Sequence, residues 1–207
     1  MRQHDDIEQG TEKWFFVRKT DVTGTVLKSI CGTPKAYEEA KFEMVANRLT
    51  VGVDMENENP MERGTRLEPE AIAAFEFETG KTVTRTGYCQ SDTNPQIANS
   101  PDGLIPAEDA AIEVKCPGGK NYMKIVILNA IPDEYIYQIH QYFIVNEKLK
   151  TVYFTAYNPD IPYHPLHIIT VTREMFGAEI DASQQKEEVF LQEVNEMLEK
   201  VRPFVFN

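Results

Sequence analysis

The sequence predicts an α/β fold in which helices flank a central mixed β-sheet. The composition is that of a globular protein, with 42% hydrophobic and 26% charged residues among 207 positions. There is no internal repeat or low-complexity segment, and periodic segments follow one another as helices, three or four short strands, two helices, two strands and a last helix. We therefore expect a single domain over residues 1–207, with a motif-bearing core of about 14–170 and an acidic helical tail over 171–207.

The helices are predicted from capping residues and apolar periodicity. Thr11 and Pro34 are typical of helix starts, and Asn59-Pro-Met-Glu62 resembles a capping box. Pro69 predicts a kink or break inside its helix, and another break is expected near 177–183. The predicted helices are, in order, about 12–19, a short segment ending near 32, 33–49, 59–80, 121–130, 132–147 and 173–201, with a polar loop over 52–59.

The strands are predicted from segments rich in Thr, Val and Ile that lie between turn residues. They span residues 81–89, 96–99, 104–105, 111–116, 151–157 and 166–172. On the fourth of these, Glu113 and Lys115 are separated by one residue, so the two-residue repeat of a strand places them on one face. Ile112 and Val114 then occupy the opposite face.

The net charge of −12 argues against broad, non-specific binding of nucleic acid. The acidic excess lies in residues 51–110 and 171–207, whereas residues 1–50 and 111–170 are neutral. No apolar segment approaches the roughly 18 residues of a membrane span, and the polar first ten residues are unlike a signal peptide. Three cysteines without C-x-x-C spacing disfavour a disulfide framework or a zinc site and favour a reducing cytoplasm.

The most informative segment is Asn99-Ser-Pro-Asp102-Gly, followed by Ala111-Ile-Glu113-Val-Lys115. Asp102 and Glu113 would supply hard oxygen ligands of the kind that Mg²⁺ or Mn²⁺ prefers, completed by water and substrate phosphate. Lys115 could activate a water molecule or stabilise charge on that phosphate. The alternative is a turn aspartate beside an ion pair on a surface strand.

This is the residue pattern of the PD-(D/E)xK nuclease superfamily, and it implies a restriction-endonuclease-like core. Other segments fit in order and spacing: Trp14…Arg18…Thr23-Gly-Thr25, Arg63-Gly-Thr-Arg-Leu-Glu68-Pro-Glu, Tyr122-Met-Lys and Tyr135-Ile-Tyr-Gln138-Ile-His-Gln141-Tyr. Together they resemble the lambda-type exonuclease family, also called viral-recombinase-type or alkaline exonucleases. The resemblance extends from about Trp14 to about Val145, roughly two thirds of the chain.

The resemblance implies a role for each matching position. The metal ligands would be Asp102, Glu113 and the main-chain carbonyl of Val114. Lys115 would be the catalytic lysine, assisted by Glu68 and Gln138. The residues that bind phosphate would be Arg18, Thr25 and Ser100. Glu70 competes with Glu68, which is preferred by its register to the following Ala-x-x-x-Phe. Without the resemblance, Arg18 would be a helix-end cation, Ser100 a turn former and Gln138 a solvent-facing glutamine.

The implied activity is a Mg²⁺-dependent 5′-to-3′ exonuclease, with Mn²⁺ as a substitute, that digests one strand of linear duplex DNA to mononucleotides and leaves a 3′ overhang. The family further implies a homotrimeric ring, a single-strand-annealing protein as partner in phage-type recombination, and a phage- or prophage-encoded protein in the bacterial cytoplasm. One alternative is an endonuclease or an iron–sulphur nuclease of the same fold, although the latter needs four cysteine ligands. Another is a non-catalytic protein that binds DNA ends, which an intact Asp102, Glu113 and Lys115 set disfavours.

Overall fold

The computed structural model describes residues 1–4, 6–49, 62–161 and 163–205. Its elements are β1 (Arg2–His4), α1 (Glu12–Thr20), α2 (Gly24–Ile30), α3 (Pro34–Leu49), α4 (Glu62–Thr79), β2 (Tyr88–Gln90), β3 (Ala98–Asn99), β4 (Gly103–Ile105), β5 (Ala110–Lys115), α5 (Gly119–Leu128), α6 (Asp133–Val145), β6 (Thr151–Tyr157), β7 (Leu166–Thr172) and α7 (Gly177–Val205). This arrangement confirms the predicted mixed α/β fold.

The central sheet has the strand order β4-β5-β6-β7, and β5 pairs in parallel with β6. The other two pairings are antiparallel. All residues of β5 except Lys115 are buried, as expected for an inner strand covered on both faces. The strand that carries the acidic motif therefore lies in the middle of the core.

Helices cover both faces of this sheet. On one face, α4 packs Leu67, Ala71 and Phe75 against Ile112 and Val114 of β5. On the other face lies the larger core cluster, which combines apolar residues of α2, α3, α5, α6 and α7 with Val152, Phe154 and Ala156 of β6. From α6 the hydroxyl of Tyr142 reaches the carbonyl of Ile112 and the carboxylate of Glu113 on β5.

A second, antiparallel sheet of order β1-β2-β3 lies beside the first helices. Val22, just before α2, forms a parallel bridge with Ile97, just before β3. The amide of Val22 donates to the carbonyl of Gln96 at 2.8 Å, and the amide of Ala98 donates to the carbonyl of Val22 at 2.9 Å. The α1–α2 segment is thereby fixed beside the chain that leads to Asp102.

Most predicted elements are confirmed. The side chain of Thr11 caps α1 by accepting a hydrogen bond from the amide of Trp14 at 3.3 Å, and Pro34 begins α3. Strands β6 and β7 have the predicted bounds, and all three cysteines are free. None of the helices in the described ranges is long and apolar enough to span a bilayer.

Three predictions about the elements are wrong. Residues 81–87 do not form a strand: β4 offers only three residues for pairing, and Thr84 alone bridges to Leu104. The break expected at Pro69 does not occur: α4 continues through this residue, because buried residues on either side hold it against the sheet. The alternative expectation of a kink at Pro69 stays a prediction. Helix α7 has no break at 177–183, since Gly177 is helical and Ile180 and Ser183 are buried. The predicted polar loop and the start of the capping box lie outside the described residues.

Candidate active site

Asp102 is held against the edge of β5 at the point where strand pairing ends. The β4–β5 ladder begins at Gly103 opposite Ile112, so Asp102 lies beside Glu113 and Val114. The amide of Val114 donates to Asp102 Oδ2 at 2.7 Å. A Cβ at Gly103 would come within 2.2 Å of Val83 Cγ1, so only glycine permits this close approach. The turn thus presents the carboxylate to the strand in a fixed position.

Glu113 and Lys115 occupy one face of β5, as the alternation predicts. Lys115 Nζ forms an ion pair with Glu113 Oε1. The same ammonium lies 5.0 Å from the centroid of the Tyr135 ring on α6. Glu113 is only 5% exposed, so this pair belongs to the interior and is not an ion pair of a surface strand.

Tyr142 on α6 links the two carboxylate-bearing segments. Its hydroxyl donates to Glu113 Oε2 at 2.5 Å and accepts a hydrogen bond from the amide of Asp102 at 3.3 Å. The sequence motifs assigned no role to Tyr142. The available signal was its four-residue spacing from Gln138, which places both side chains on one face of α6.

The electrostatics of the site follow from burying two carboxylates together. Burial raises the pKa of Asp102 well above its ordinary value, and the charge of Glu113 raises it further. Burial lowers the pKa of Lys115, but Glu113 and Asp102 more than compensate and leave it raised. Lys115 therefore stays protonated, and the site favours additional positive charge.

The donor set fits a divalent cation. The N–H and C=O of a strand residue point to the same side, so the carbonyl of Val114 faces the side on which its amide binds Asp102. Asp102, Glu113 and this carbonyl are hard oxygen donors. No group of three His, Cys, Asp or Glu side chains with metal-binding geometry occurs among the described residues. The remaining ligands would accordingly be water or substrate oxygens.

The structure separates the two candidate glutamates of α4. The pKa of Glu68 is raised by burial, lowered by Arg85, raised by Glu113 and lowered by Lys115. Glu70 is exposed and accepts a hydrogen bond from the hydroxyl of Tyr157 at 2.5 Å. Glu68 is therefore the glutamate within electrostatic range of the motif.

Gln138 lies where α6 approaches the start of α2. Its Oε1 is buried and has no hydrogen-bond partner in the described structure. A Cβ at Gly24 would lie 3.0 Å from the Gln138 Cα and 3.2 Å from its Cγ. The close packing of Gly24 holds Gln138 in place, and it is not the solvent-facing glutamine of the alternative interpretation.

Arg18 is directed toward the same site. Burial lowers its pKa, while the charges of Glu113 and Asp102 act in the opposite direction. Its guanidinium carbon lies 4.4 Å from the centroid of the Trp14 ring, and Trp14 Nε1 donates to Ser100 Oγ at 2.9 Å. Trp14 thus joins Arg18 to Ser100, a role that the sequence did not reveal.

Thr25 is exposed at the start of α2. Together with Arg18 it lines a cleft of about 320 Å³ between α1, α2 and α3. Ser100 does not line this cleft and is connected to it through Trp14. Arg18 and Thr25 therefore share one cleft, and Ser100 is linked to Arg18 through Trp14.

Residues 13–151, about two thirds of the chain, match the family described as the YqaJ-like viral recombinase domain. The chain belongs to this family. The match confirms the resemblance to lambda-type exonucleases that the motifs indicated. No curated protein sequence is significantly similar to the chain.

Solved structures of exonucleases share the fold. An alkaline exonuclease, LHK-Exo, from Laribacter hongkongensis is 27% identical with a TM-score of 0.82, over 93% of this chain and 97% of that one. LHK-Exo in complex with dAMP gives a TM-score of 0.81 with the same identity and coverage. A phage-related exonuclease from Haemophilus somnus 129PT, 15% identical over 87% of this chain and 95% of that one, has a TM-score of 0.63 and shares the fold alone. The family match and the similarity to LHK-Exo support an exonuclease acting on DNA.

Proposed function

We propose that this chain is a Mg²⁺-dependent exonuclease that digests one strand of linear double-stranded DNA from its 5′ end. It would release mononucleotides and leave a 3′ single-stranded overhang, and Mn²⁺ would replace Mg²⁺. The observation that carries the proposal is the buried cluster in which Asp102, Glu113 and Lys115 meet beneath Tyr142. Asp102, Glu113 and Lys115 are the residues that the sequence motifs predicted, and they lie within the segment that matches the YqaJ-like viral recombinase domain.

The residues divide the work of phosphodiester hydrolysis. Asp102, Glu113 and the Val114 carbonyl would hold the cation, which when bound activates water and offsets charge on the phosphate. Lys115, kept protonated by its carboxylate neighbours, donates to the phosphate or orients the attacking water. Glu68, whose pKa is raised, would accept a proton from that water, and Gln138 would orient the water.

The proposed polarity depends on Arg18, Thr25 and Ser100. Each cut leaves a 5′ phosphate, and a guanidinium flanked by two hydroxyls is a suitable receptor for it. The binding of dAMP by LHK-Exo supports mononucleotides as products in this chain too. By family analogy the protein would form a homotrimeric ring and act with a single-strand-annealing protein in phage-type recombination, in the cytoplasm of a bacterial host.

Digestion of a linear duplex labelled at one 5′ end or one 3′ end tests the proposal. We expect Mg²⁺-dependent release of the 5′ label as a mononucleotide and no digestion in EDTA. The 3′ label should stay on the DNA while the strand that carries it shortens from its 5′ end. Early release of the 3′ label would reverse the proposed polarity.

Two controls separate the alternatives. A covalently closed circular duplex has no ends, so its cleavage would indicate an endonuclease of the same fold. Binding of linear DNA without digestion in Mg²⁺ or Mn²⁺ would indicate a non-catalytic protein that binds DNA ends.

A further inference from the structure

Glu187 on α7 is a carboxylate buried far from the acidic motif. Its side chain has 0% exposure, and neither carboxylate oxygen has a hydrogen-bond partner among the described residues. Burial raises the pKa of Glu187 to about 8. At neutral pH this side chain is therefore mainly a neutral carboxylic acid, which can donate a hydrogen bond.

Gln141 on α6 supplies the matching acceptor. Its side chain is 1% exposed, and its Nε2 donates to the carbonyls of Val22 and Ala98, each at 3.2 Å. These two bonds use both amide hydrogens and fix the orientation of the amide. Its oxygen, Oε1, is then left to accept a hydrogen bond from another donor. Oε1 has no partner in the described structure, and α6, which carries Gln141, packs against α7, which carries Glu187. A neutral Glu187 would supply the donor that this buried oxygen lacks.

The two carbonyls that Gln141 binds belong to the segments that form the proposed phosphate pocket. Val22 lies between Arg18 on α1 and Thr25 on α2, and Ala98 precedes Ser100. The carbonyl of Val22 also accepts from the amide of Ala98 at 2.9 Å. Gln141 therefore spans the junction at which these segments meet.

We propose that Glu187 is maintained as a neutral acid that donates its proton to Gln141 Oε1, and that this pair clamps the Val22 and Ala98 segments in register. Glu187 and Gln141 are then positioning residues that act on the phosphate pocket through the backbone. Ionisation of Glu187 would place two acceptors against each other in the interior and loosen the clamp.

The charged groups around Glu187 do not offer it a cation. On α7 itself Glu188 raises its pKa, and at the end of α2 the Cys31 thiol is in turn affected by Glu187. On α6 His140 Nδ1 is hydrogen-bonded at 3.2 Å to a serine of α7. On α3 Lys41 is paired with two other glutamates, at 2.6 and 3.0 Å. Within the described ranges, protonation is the way in which Glu187 can be satisfied.

The pH dependence of unfolding tests the buried proton without any assay of activity. Because the folded state keeps the proton above the ordinary pKa of a glutamate, stability should fall as pH rises toward about 8 and then level off. In Glu187→Gln, whose amide can donate to Gln141 but cannot ionise, this part of the decline in denaturant midpoint should disappear. Glu196→Gln, on the exposed side of the same helix, should retain it. An unchanged decline in Glu187→Gln would overturn the proposal.

A second measurement tests the clamp, and it rests on the proposed function. In Gln141→Leu and Glu187→Ala, the ratio of digestion rates on 5′-phosphate and 5′-hydroxyl ends should fall severalfold toward one. Glu187→Gln should restore the ratio, and Val194→Ala, which removes buried volume from the same helix, should leave it unchanged. Failure of Glu187→Gln to restore it, or an equal loss in Val194→Ala, would reduce the pair to a structural role. Complete absence of nuclease activity in the wild type would refute the proposed function, while the unfolding measurement would still decide on the proton.

Discussion

At the scale of single residues, Asp102 and Glu113 repel each other across the edge of β5. The raised pKa of Asp102 reflects burial and this repulsion. We expect Asp102→Asn and Glu113→Gln to abolish hydrolysis and weaken Mn²⁺ binding. Stability should be unchanged or slightly raised in Asp102→Asn but should fall in Glu113→Gln, which leaves the buried ammonium of Lys115 without its ion-pair partner. Single-turnover digestion, calorimetric titration with Mn²⁺ and thermal unfolding measure the three quantities.

Lys115→Ala is the informative comparison, because lysine is not a ligand. Metal binding should survive while turnover falls by roughly 10²- to 10⁴-fold, the usual contribution of a positioned acid or base. Near wild-type activity in either carboxylate variant would show that the site is wrongly assigned.

Tyr142 contributes a hydroxyl that holds Glu113 and Asp102 together. Tyr142→Phe should lower the free energy of unfolding by about 1–3 kcal/mol, since it leaves buried partners unsatisfied. It should also reduce turnover about tenfold, because Glu113 is no longer fixed. Tyr122→Phe is the matched control: its hydroxyl donates to the carbonyl of His164 at 2.5 Å, away from the motif. If both variants lose turnover equally, Tyr142 has no specific role.

The sequence predicted the parts of the site that depend on local geometry. Asp102, Glu113 and Lys115 are recognisable because a turn and a strand with two-residue alternation place them together. Tyr142 and Trp14 were missed because their contacts depend on how α6 and α1 pack against other segments. The choice between Glu68 and Glu70 likewise depends on which face of α4 is turned toward β5, and this is set by packing.

At the scale of elements, the contact between α2 and α6 depends on Gly24. A Cβ at this position would meet the backbone of Gln138 at 3.0 Å, so Gly24→Ala must push the two helices apart. We expect a loss of about 1–3 kcal/mol in unfolding free energy, as for overpacking in a core, and a larger proportional loss of turnover. Gly177→Ala, also at the first position of a helix but with open space around it, should be neutral or slightly stabilising. An active, stable Gly24→Ala would contradict the close approach.

The elements that the sequence predicted correctly are those with strong local signals. Three signals can be recognised without knowing which segment packs against them. They are the cap at Thr11, Pro34 at the start of a helix, and the long β-branched strands β6 and β7. Residues 81–87 have strand composition but lack a long neighbouring strand, and Pro69 lies in a helix held by its neighbours. In both cases tertiary packing overrode local propensity.

At the scale of the whole molecule, the charge of −12 must be reconciled with DNA as substrate. Arg18 and Thr25 of the proposed phosphate receptor belong to residues 1–50, which are neutral, whereas Ser100 lies in the acidic block 51–110. We expect residues 1–50 and 111–170, which are both neutral, to supply most of the contact surface, so that this surface is local. We expect the affinity for linear duplex to fall steeply with salt, because phosphate contacts release counterions. Fluorescence anisotropy in Ca²⁺, over a salt series, gives the slope. An affinity insensitive to salt would contradict a surface that follows phosphates.

The recognition of the 5′ end also belongs to the whole molecule, because its proposed receptor is assembled from two distant segments. Trp14 contacts the Arg18 guanidinium and hydrogen-bonds to Ser100, and Arg18 and Thr25 line one cleft. Duplexes with 5′-phosphate ends should therefore be digested faster than those with 5′-hydroxyl ends, by roughly tenfold to a hundredfold for a charge-assisted contact of about 1.5–3 kcal/mol. Initial rates on matched ends measure this preference.

Variants of the receptor decide which residue carries that preference. Arg18→Ala should abolish it, whereas Lys28→Ala, which removes an exposed cation from α2, should retain it. Equal rates on both ends in the wild type would eliminate the phosphate pocket. A preference that persists undiminished in Arg18→Ala would keep the pocket but transfer the role of receptor to another residue, and Arg18 would then be only a cation at the end of α1.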